Sequence, residues 1–178
     1  MNPVRILMLE DTATDAQVIE DRLRESDIEF VARRVETRDD FIRALDEFDP
    51  HLILADYKLP AFDGLAAVRI ARERKPDVPV IVVTGTLGDE LAVELLREGA
   101  RDYVIKERLA RLPAAVLRAL EDARLEAEKR EADRMLRKQL DELRRFQQAA
   151  VGRELRMKQL KEENQRFRDQ LAARRVEA

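Results

Sequence analysis

Four short apolar runs in this chain each end on a residue able to do polar chemistry. Val4–Leu9 gives way to Glu10 and Asp11, Leu52–Ala55 to Asp56, Val80–Val83 to Thr84, and Tyr103–Ile105 to Lys106. Three carboxylates, a hydroxyl and an ammonium brought to one edge can hold a divalent cation among oxygen ligands and bind a phosphoryl group. Each residue alone has a plainer role: an Asp after a strand is commonly a turn or cap residue, Thr84 can open the turn Thr84-Gly85-Thr86-Leu87-Gly88, and Lys106 can be an ordinary surface lysine. Their common position after an apolar run is what singles them out.

The runs show no alternation of apolar and polar residues, which suits parallel strands buried on both faces. In open parallel sheets the chemistry sits just beyond the carboxyl ends of such strands. Phe30–Val35 reads as a further strand, and helical periodicity fills the spaces between. Thr14–Glu25 forms the first helix, with Thr14 as N-cap and Val18, Ile19 and Leu23 facing inward. Thr37 caps a second helix bearing Phe41, Ile42, Leu45 and Phe48, which stops before Pro50. Asp63-Gly64 opens a third helix, with Leu65, Val68 and Ile70. A shorter fourth, Leu91–Arg97, ends at a left-handed Gly99, and Pro113 suits the first turn of a fifth. Five strand and helix pairs in roughly 110 residues define an α/β fold, a three-layer sandwich with right-handed crossovers.

Composition adds a second part to this picture. Charged residues make up 40% of the 178 positions and aromatic residues only 4%, so a long, solvated helical segment accompanies the sandwich. Residues 1–112 carry 17 basic and 24 acidic side chains, a net of −7, whereas residues 113–178 carry 17 and 13, a net of +4. That weak, mixed tail balance gives no case for nucleic acid as a partner. There is no cysteine, hence no disulfide or thiolate metal site, as suits a reducing cytoplasm. No apolar run approaches a membrane span, and the expectation is a cytoplasmic protein without a membrane partner. His51, the single histidine, falls before the third strand and receives no role; Met8 belongs to the core.

Residues 1–123 resemble the receiver domain of two-component response regulators. The likeness rests on Glu10-Asp11, Asp56, Thr84-Gly85 and the Tyr103 and Lys106 pair, in that order at strand ends, and on Asp56-Tyr57-Lys58-Leu59-Pro60 with Asp63-Gly64 beyond. It implies a flavodoxin-like (βα)5 sheet of five parallel strands. It also implies that Asp56 is the phosphorylated nucleophile and that Mg²⁺ is held by Asp11, Asp56 and the Lys58 backbone carbonyl, with Glu10 as an outer partner. Lys106 and Thr84 would bind phosphoryl oxygens, Gly85 would leave the donor room, and Thr84 and Tyr103 would carry a switch to the partner-binding face. The implied donor is a phosphohistidine on a sensor histidine kinase or phosphotransfer protein. One departure stands out: Glu107 follows Lys106 where the family usually has a cis proline. A cis bond to a non-proline residue costs about 3–4 kcal/mol, so a trans bond and an altered loop are expected.

Beyond Pro113 there is no further proline and one glycine, Gly152, so a helix can run to near Arg174, a rod of roughly 90 Å at the usual rise. A heptad register fits from Ala132 onward. Leu136, Leu143, Ala150, Met157, Asn164 and Leu171 fall at a; Ala132, Gln139, Phe146, Arg153, Leu160 and Phe167 fall at d. Asn164 at a seam position suits a parallel two-stranded coil, and Arg153 beside Gly152 marks a weak centre. A solvated single helix held by charge pairs is the plainer alternative. Upstream, Leu112, Val116, Ala119, Leu120 and Ala123 form a different stripe that suits packing on the sheet, so the boundary is set at residue 123, with 124–178 as the helical extension. The resulting expectation is a regulator that phosphorylates its own aspartate, contains no separate catalytic domain, and signals through a partner surface and a parallel homodimer. A second reading makes the coil a linker to a kinase or cyclase domain in a larger signalling enzyme.

Overall fold

The computed structural model describes residues 3–60, 62–85 and 89–176, with the side chains of 89, 90, 167 and 169–176 outside that description. The chain divides into two units, Met1–Ala127 and Glu128–Ala178. In the first, β1 (Val4–Leu9), β2 (Phe30–Val35), β3 (Leu52–Asp56), β4 (Val80–Thr84) and β5 (Asp102–Ile105) alternate with α1 (Ala13–Arg24), α2 (Arg38–Glu47), α3 (Gly64–Arg74) and α4 (Asp89–Glu98). A 3₁₀ segment, Lys106–Arg111, follows β5 and leads into α5, Leu112–Val176. All pairings are parallel and the strand order is β2-β1-β3-β4-β5. The five-stranded α/β receiver fold read from the sequence is therefore the one found.

Side-chain alternation along each strand feeds two cores. Leu7, Leu9, Ile53, Ala55, Val80 and Val82 face α2, α3 and α4, where Phe41, Leu45, Val68 and Leu95 are buried. Ile6, Met8, Leu54, Ile81, Val83 and Val104 face α1 and the start of α5, against Ile19, Leu23, Leu112 and Val116. Both faces of the sheet are thus covered, and this explains strands that read as continuous apolar runs.

Several element boundaries differ from the sequence reading. The N-cap of α1 is Thr12 rather than Thr14, and α1 starts at Ala13. The buried stripe of α1 is Ala16, Ile19 and Leu23, spaced three and four apart, and Val18 stands between their turns at 50% exposure. Helix α4 begins before Leu91, at Asp89, because acidic residues suit a first turn. The caps at Thr37 and Asp63 appear as expected, each side chain accepting from the backbone N–H three residues on. Gly99 has φ +110° and closes α4 in the left-handed region. No cis peptide bond occurs among the described residues, so the Lys106-Glu107 bond is trans and the chain enters the 3₁₀ segment directly. Leu112, Val116 and Ala119 are buried on the sheet, with Leu120 half-buried beside them.

In the second unit the helix runs to Val176. Leu136, Leu143, Phe146, Met157 and Leu160 are exposed, as are Ala150 and Asn164. Met135, Leu140, Val151 and Leu155 are exposed apolar positions off the heptad seam. Phe167 and Leu171 lie outside the described side chains.

Gly64 shows how tightly α3 seats on the end of β3. A Cβ at this position would lie 2.7 Å from the Asp56 carbonyl oxygen and 2.8 Å from the Tyr57 Cα, whereas one on Gly85 would meet no atom within 4 Å. Gly64→Ala should therefore cost about 1–3 kcal/mol in equilibrium denaturation, with Gly85→Ala close to the parent. Equal stability of the two variants would contradict this packing.

Candidate functional site

The strand register puts the polar residues at one height. Leu9 pairs with Ala55, so Glu10 emerges beside Asp56; Asp56 pairs with Val83, and Thr84 pairs with Ile105. The sheet order reverses direction between β1 and β3, and at such a switch point flanking loops part to leave a crevice. Glu10, Asp11 and Asp56 meet there, each contributing one carboxylate oxygen to a group whose members all lie within 4.8 Å of one another. This all-oxygen set fits a hard divalent cation such as Mg²⁺ and does not suit a softer metal.

Lys106 closes the other side. Its Nζ donates to Glu10 Oε2 at 2.9 Å, Asp15 Oδ2 at 2.6 Å and Asp56 Oδ2 at 2.8 Å. Glu10 and Asp56 are almost fully buried, and their charges are tolerable because a cation touches both. Burial opposes the charge on Lys106, but the hydrogen bonds to Asp15, Asp56 and Glu10 outweigh it and hold the ammonium above the usual lysine range. Burial pushes the Glu10 carboxyl up, against the hydrogen bonds from Lys106 and the Thr12 N–H. The second Asp56 oxygen accepts from the Lys58 N–H at 3.1 Å, which ties the loop after β3 to the carboxylate. Asp11 is exposed, and the Thr12 hydroxyl donates to it at 3.3 Å.

Of the residues singled out in the sequence, Glu10, Asp11, Asp56 and Lys106 come together. Thr84 is fully buried at the end of β4, and Lys58 is exposed just past Asp56. Tyr103 is half-buried on β5 and packs against the α2, α3 and α4 core. The Arg111 guanidinium lies 5.8 Å from the centre of its ring and donates to both Asp102 oxygens, at 2.8 and 3.0 Å. Arg118 donates to the same carboxylate at 2.6 Å. His51 stays outside the site, where its Nδ1 accepts from the Arg5 N–H. Asp15 is the site residue that sequence reasoning missed. Its place in the first turn of α1 gives no sign of its partner, Lys106, which lies 91 residues away.

The chain belongs to the response regulator receiver domain family, whose model matches residues 6–117. Regulatory protein LuxO of Vibrio cholerae is 36% identical over 99 residues, covering 56% of this chain and 21% of that protein. The C4-dicarboxylate transport transcriptional regulatory protein DctD of Pseudomonas aeruginosa is 32% identical over 163 residues, 86% of this chain and 34% of its own length. Among solved structures, the signal receiver domain of a LuxO repressor protein from Vibrio parahaemolyticus superposes with a TM-score of 0.64 at 28% identity, over 71% of this chain and 96% of that one. NtrX from Brucella abortus gives 0.65 at 28% identity, over 73% and 29%. The chain thus spans between a fifth and about a third of the curated relatives named here. It is a two-component receiver, a class that takes phosphoryl groups from histidine kinases and binds Mg²⁺ at an acidic pocket. No helix among the described residues is long and apolar enough to cross a membrane.

Glu10, Asp15 and Asp56 share the Lys106 ammonium, and Asp11 lies beside Glu10 and Asp56, so like charges crowd this edge. Asp11→Asn should raise stability by about 0.5–1 kcal/mol in chelator, as relief of crowding among like charges commonly does. A variant less stable than its parent in chelator would count against this charge balance.

Proposed function

We propose that Asp56 accepts a phosphoryl group from a phosphohistidine on a sensor histidine kinase or phosphotransfer protein. The single observation that carries this reading is the Asp56 carboxylate at the end of β3, bonded to Lys106 and grouped with Glu10 and Asp11. Glu10, Asp11, Asp56 and the Lys58 backbone carbonyl would hold Mg²⁺, which when bound offsets the negative charge on nucleophile and donor. An Asp56 oxygen attacks phosphorus, the bond from phosphorus to the imidazole nitrogen breaks, and the histidine leaves with that electron pair. The Lys106 ammonium and the Thr84 hydroxyl donate to phosphoryl oxygens, whose charge they stabilise during transfer. Gly85 presents no side chain to the incoming donor. Thr84 and Tyr103 then relay the added charge as a packing change on the β5 side of the domain. The protein acts on its own aspartate.

The output we assign to residues 124–178 is a parallel homodimeric coiled coil with Leu136, Leu143, Phe146, Ala150, Met157, Leu160, Asn164, Phe167 and Leu171 on its seam. Support comes from the exposed apolar residues along this helix, which are too many for a surface with no partner. Another reading treats the helix as a linker to a further domain. It is favoured by the match to DctD, which extends over 163 residues and into the helix. A natural reading frame that continues past Ala178 would support this linker role.

Incubation with acetyl phosphate and Mg²⁺ should give one base-labile adduct, absent from Asp56→Asn and from protein held in chelator. Undiminished labelling of Asp56→Asn would remove the assignment. Asp11→Ala should lose most Mg²⁺ affinity by calorimetry, while Lys106→Ala should keep it and respond poorly to phosphorylation. For the extension, the whole chain should sediment as an elongated dimer, and Asn164→Cys should cross-link within it. Asn164→Leu should melt higher but populate other oligomers, since it removes a buried polar group and the register it sets. A monomer at tens of micromolar rules out the coil, and failure of the position-164 cross-link rules out the parallel arrangement.

A further inference from the structure

Of the three acids grouped at the site, Asp11 has the weakest hold on its own carboxylate. Glu10 and Asp56 each bond to Lys106, and each also accepts from a backbone N–H, of Thr12 and Lys58 respectively, at 3.1 Å. The Asp11 carboxylate is exposed, and its bond from the Thr12 hydroxyl is longer, at 3.3 Å. Where it points is therefore set largely by its backbone, and that backbone has left the sheet. The last ladder pair of β1 is Leu9 with Val35, followed by a bond from the Glu10 N–H to the Val35 carbonyl at 3.0 Å. A side chain holds the next stretch. Arg34 Nη1 donates to the Glu10 carbonyl at 3.0 Å and to the Asp11 carbonyl at 3.2 Å, and it pairs with Glu36 Oε1 at 2.8 Å. Strand alternation selects this arginine over its neighbour. Arg34 sits beside Met8, on the face that α1 covers, whereas Arg33 sits beside Leu7, on the opposite face, and meets Glu47 of α2 at 3.3 Å.

We propose that Arg34 is a positioning residue for the divalent cation: by pinning the Glu10 and Asp11 carbonyls it fixes the turn from which the Asp11 carboxylate reaches the ion. This rests on the reading of Glu10, Asp11 and Asp56 as the Mg²⁺ site. The guanidinium acts there through its donors and against its charge, because a positive group beside the site repels Mg²⁺. The two effects have opposite signs, which separates the role from simple electrostatics. Loss of the donors weakens ion binding, whereas loss of the charge alone strengthens it.

The test uses the full chain with Mg²⁺ alone, affinity being read by calorimetry. Arg34→Met should bind the ion about tenfold more weakly, the lower end of what outer supports of a metal site are worth. Arg34→Lys should recover much of the loss, since both carbonyl bonds come from one nitrogen and an ammonium can make them. The lysine variant carries a charge that opposes Mg²⁺ and the methionine variant does not, so tighter binding by lysine comes from its donors. Arg33→Met, which removes the neighbouring pair with Glu47, should bind as the parent does; an equal loss there would assign the effect to a loosened edge strand and overturn the proposal. In chelator, nitrogen relaxation should show lower order at the Asp11 and Thr12 amides of Arg34→Met than in the parent, and unchanged order would overturn it too. So would tighter Mg²⁺ binding by Arg34→Met, or a lysine variant no better than the methionine one. A parent that takes up no Mg²⁺ would refute the metal site itself, whereas binding by the parent with unchanged affinity in Arg34→Met would refute the role of Arg34 alone.

Discussion

Everything at the carboxyl edge of the sheet depends on one cation. Lys106 bonds to two nearly buried acids, Glu10 and Asp56, and holds them within reach of each other. Without that partner, burying the two carboxylates side by side would be costly. The same ammonium joins β1, β3 and α1 to the start of the 3₁₀ segment, so the group that gathers the acids is also a structural clamp. The acids have a further deficit of positive charge, which a divalent ion is suited to fill.

The scaffold makes this possible by being stiff where the acids emerge. Parallel register aligns the ends of β1, β3, β4 and β5, and two dry cores hold the strands from both sides. Gly64 extends the rigidity into the loop beyond Asp56, because its missing side chain lets α3 press on the β3 backbone. On the far edge, Asp102 gathers Arg111 and Arg118, and Arg111 in turn covers the Tyr103 ring. A movement of that ring would therefore disturb a charged cluster drawn from β5, the 3₁₀ segment and α5 as well as an apolar core.

The sequence was most legible where an element is buried on both faces. Val80–Val83 and Leu52–Ala55 have no alternation to misread, and the polar residue after each marks the site edge. Thr37 and Asp63 were legible because their cap chemistry is local. The start of α1 was not, because two threonines compete for one cap and neither position is decided by a side-chain bond: Thr12 caps α1 with its hydroxyl turned to Asp11. Asp15 was hidden for another reason, since its contact is with a partner 91 residues away. The arginines on Asp102 were equally hidden, since a single acid on a strand edge gives no local sign of what will cover it. The 3₁₀ segment follows from backbone geometry after Lys106 and has no periodicity to reveal it.

Contact distance along the chain has a consequence for biosynthesis. Lys106 meets Glu10 across 96 residues and Asp56 across 50, and β5 is the last strand to be made. A nascent chain emerging from the ribosome presents its acids well before their lysine arrives. Until Lys106 is extruded, Glu10 and Asp56 repel one another with no counter-ion from the chain, and the last strand-edge position of the sheet is open. The charge set of this edge is thus completed in one late step, so a prematurely terminated product that ends before β5 lacks Lys106 as well as the tail.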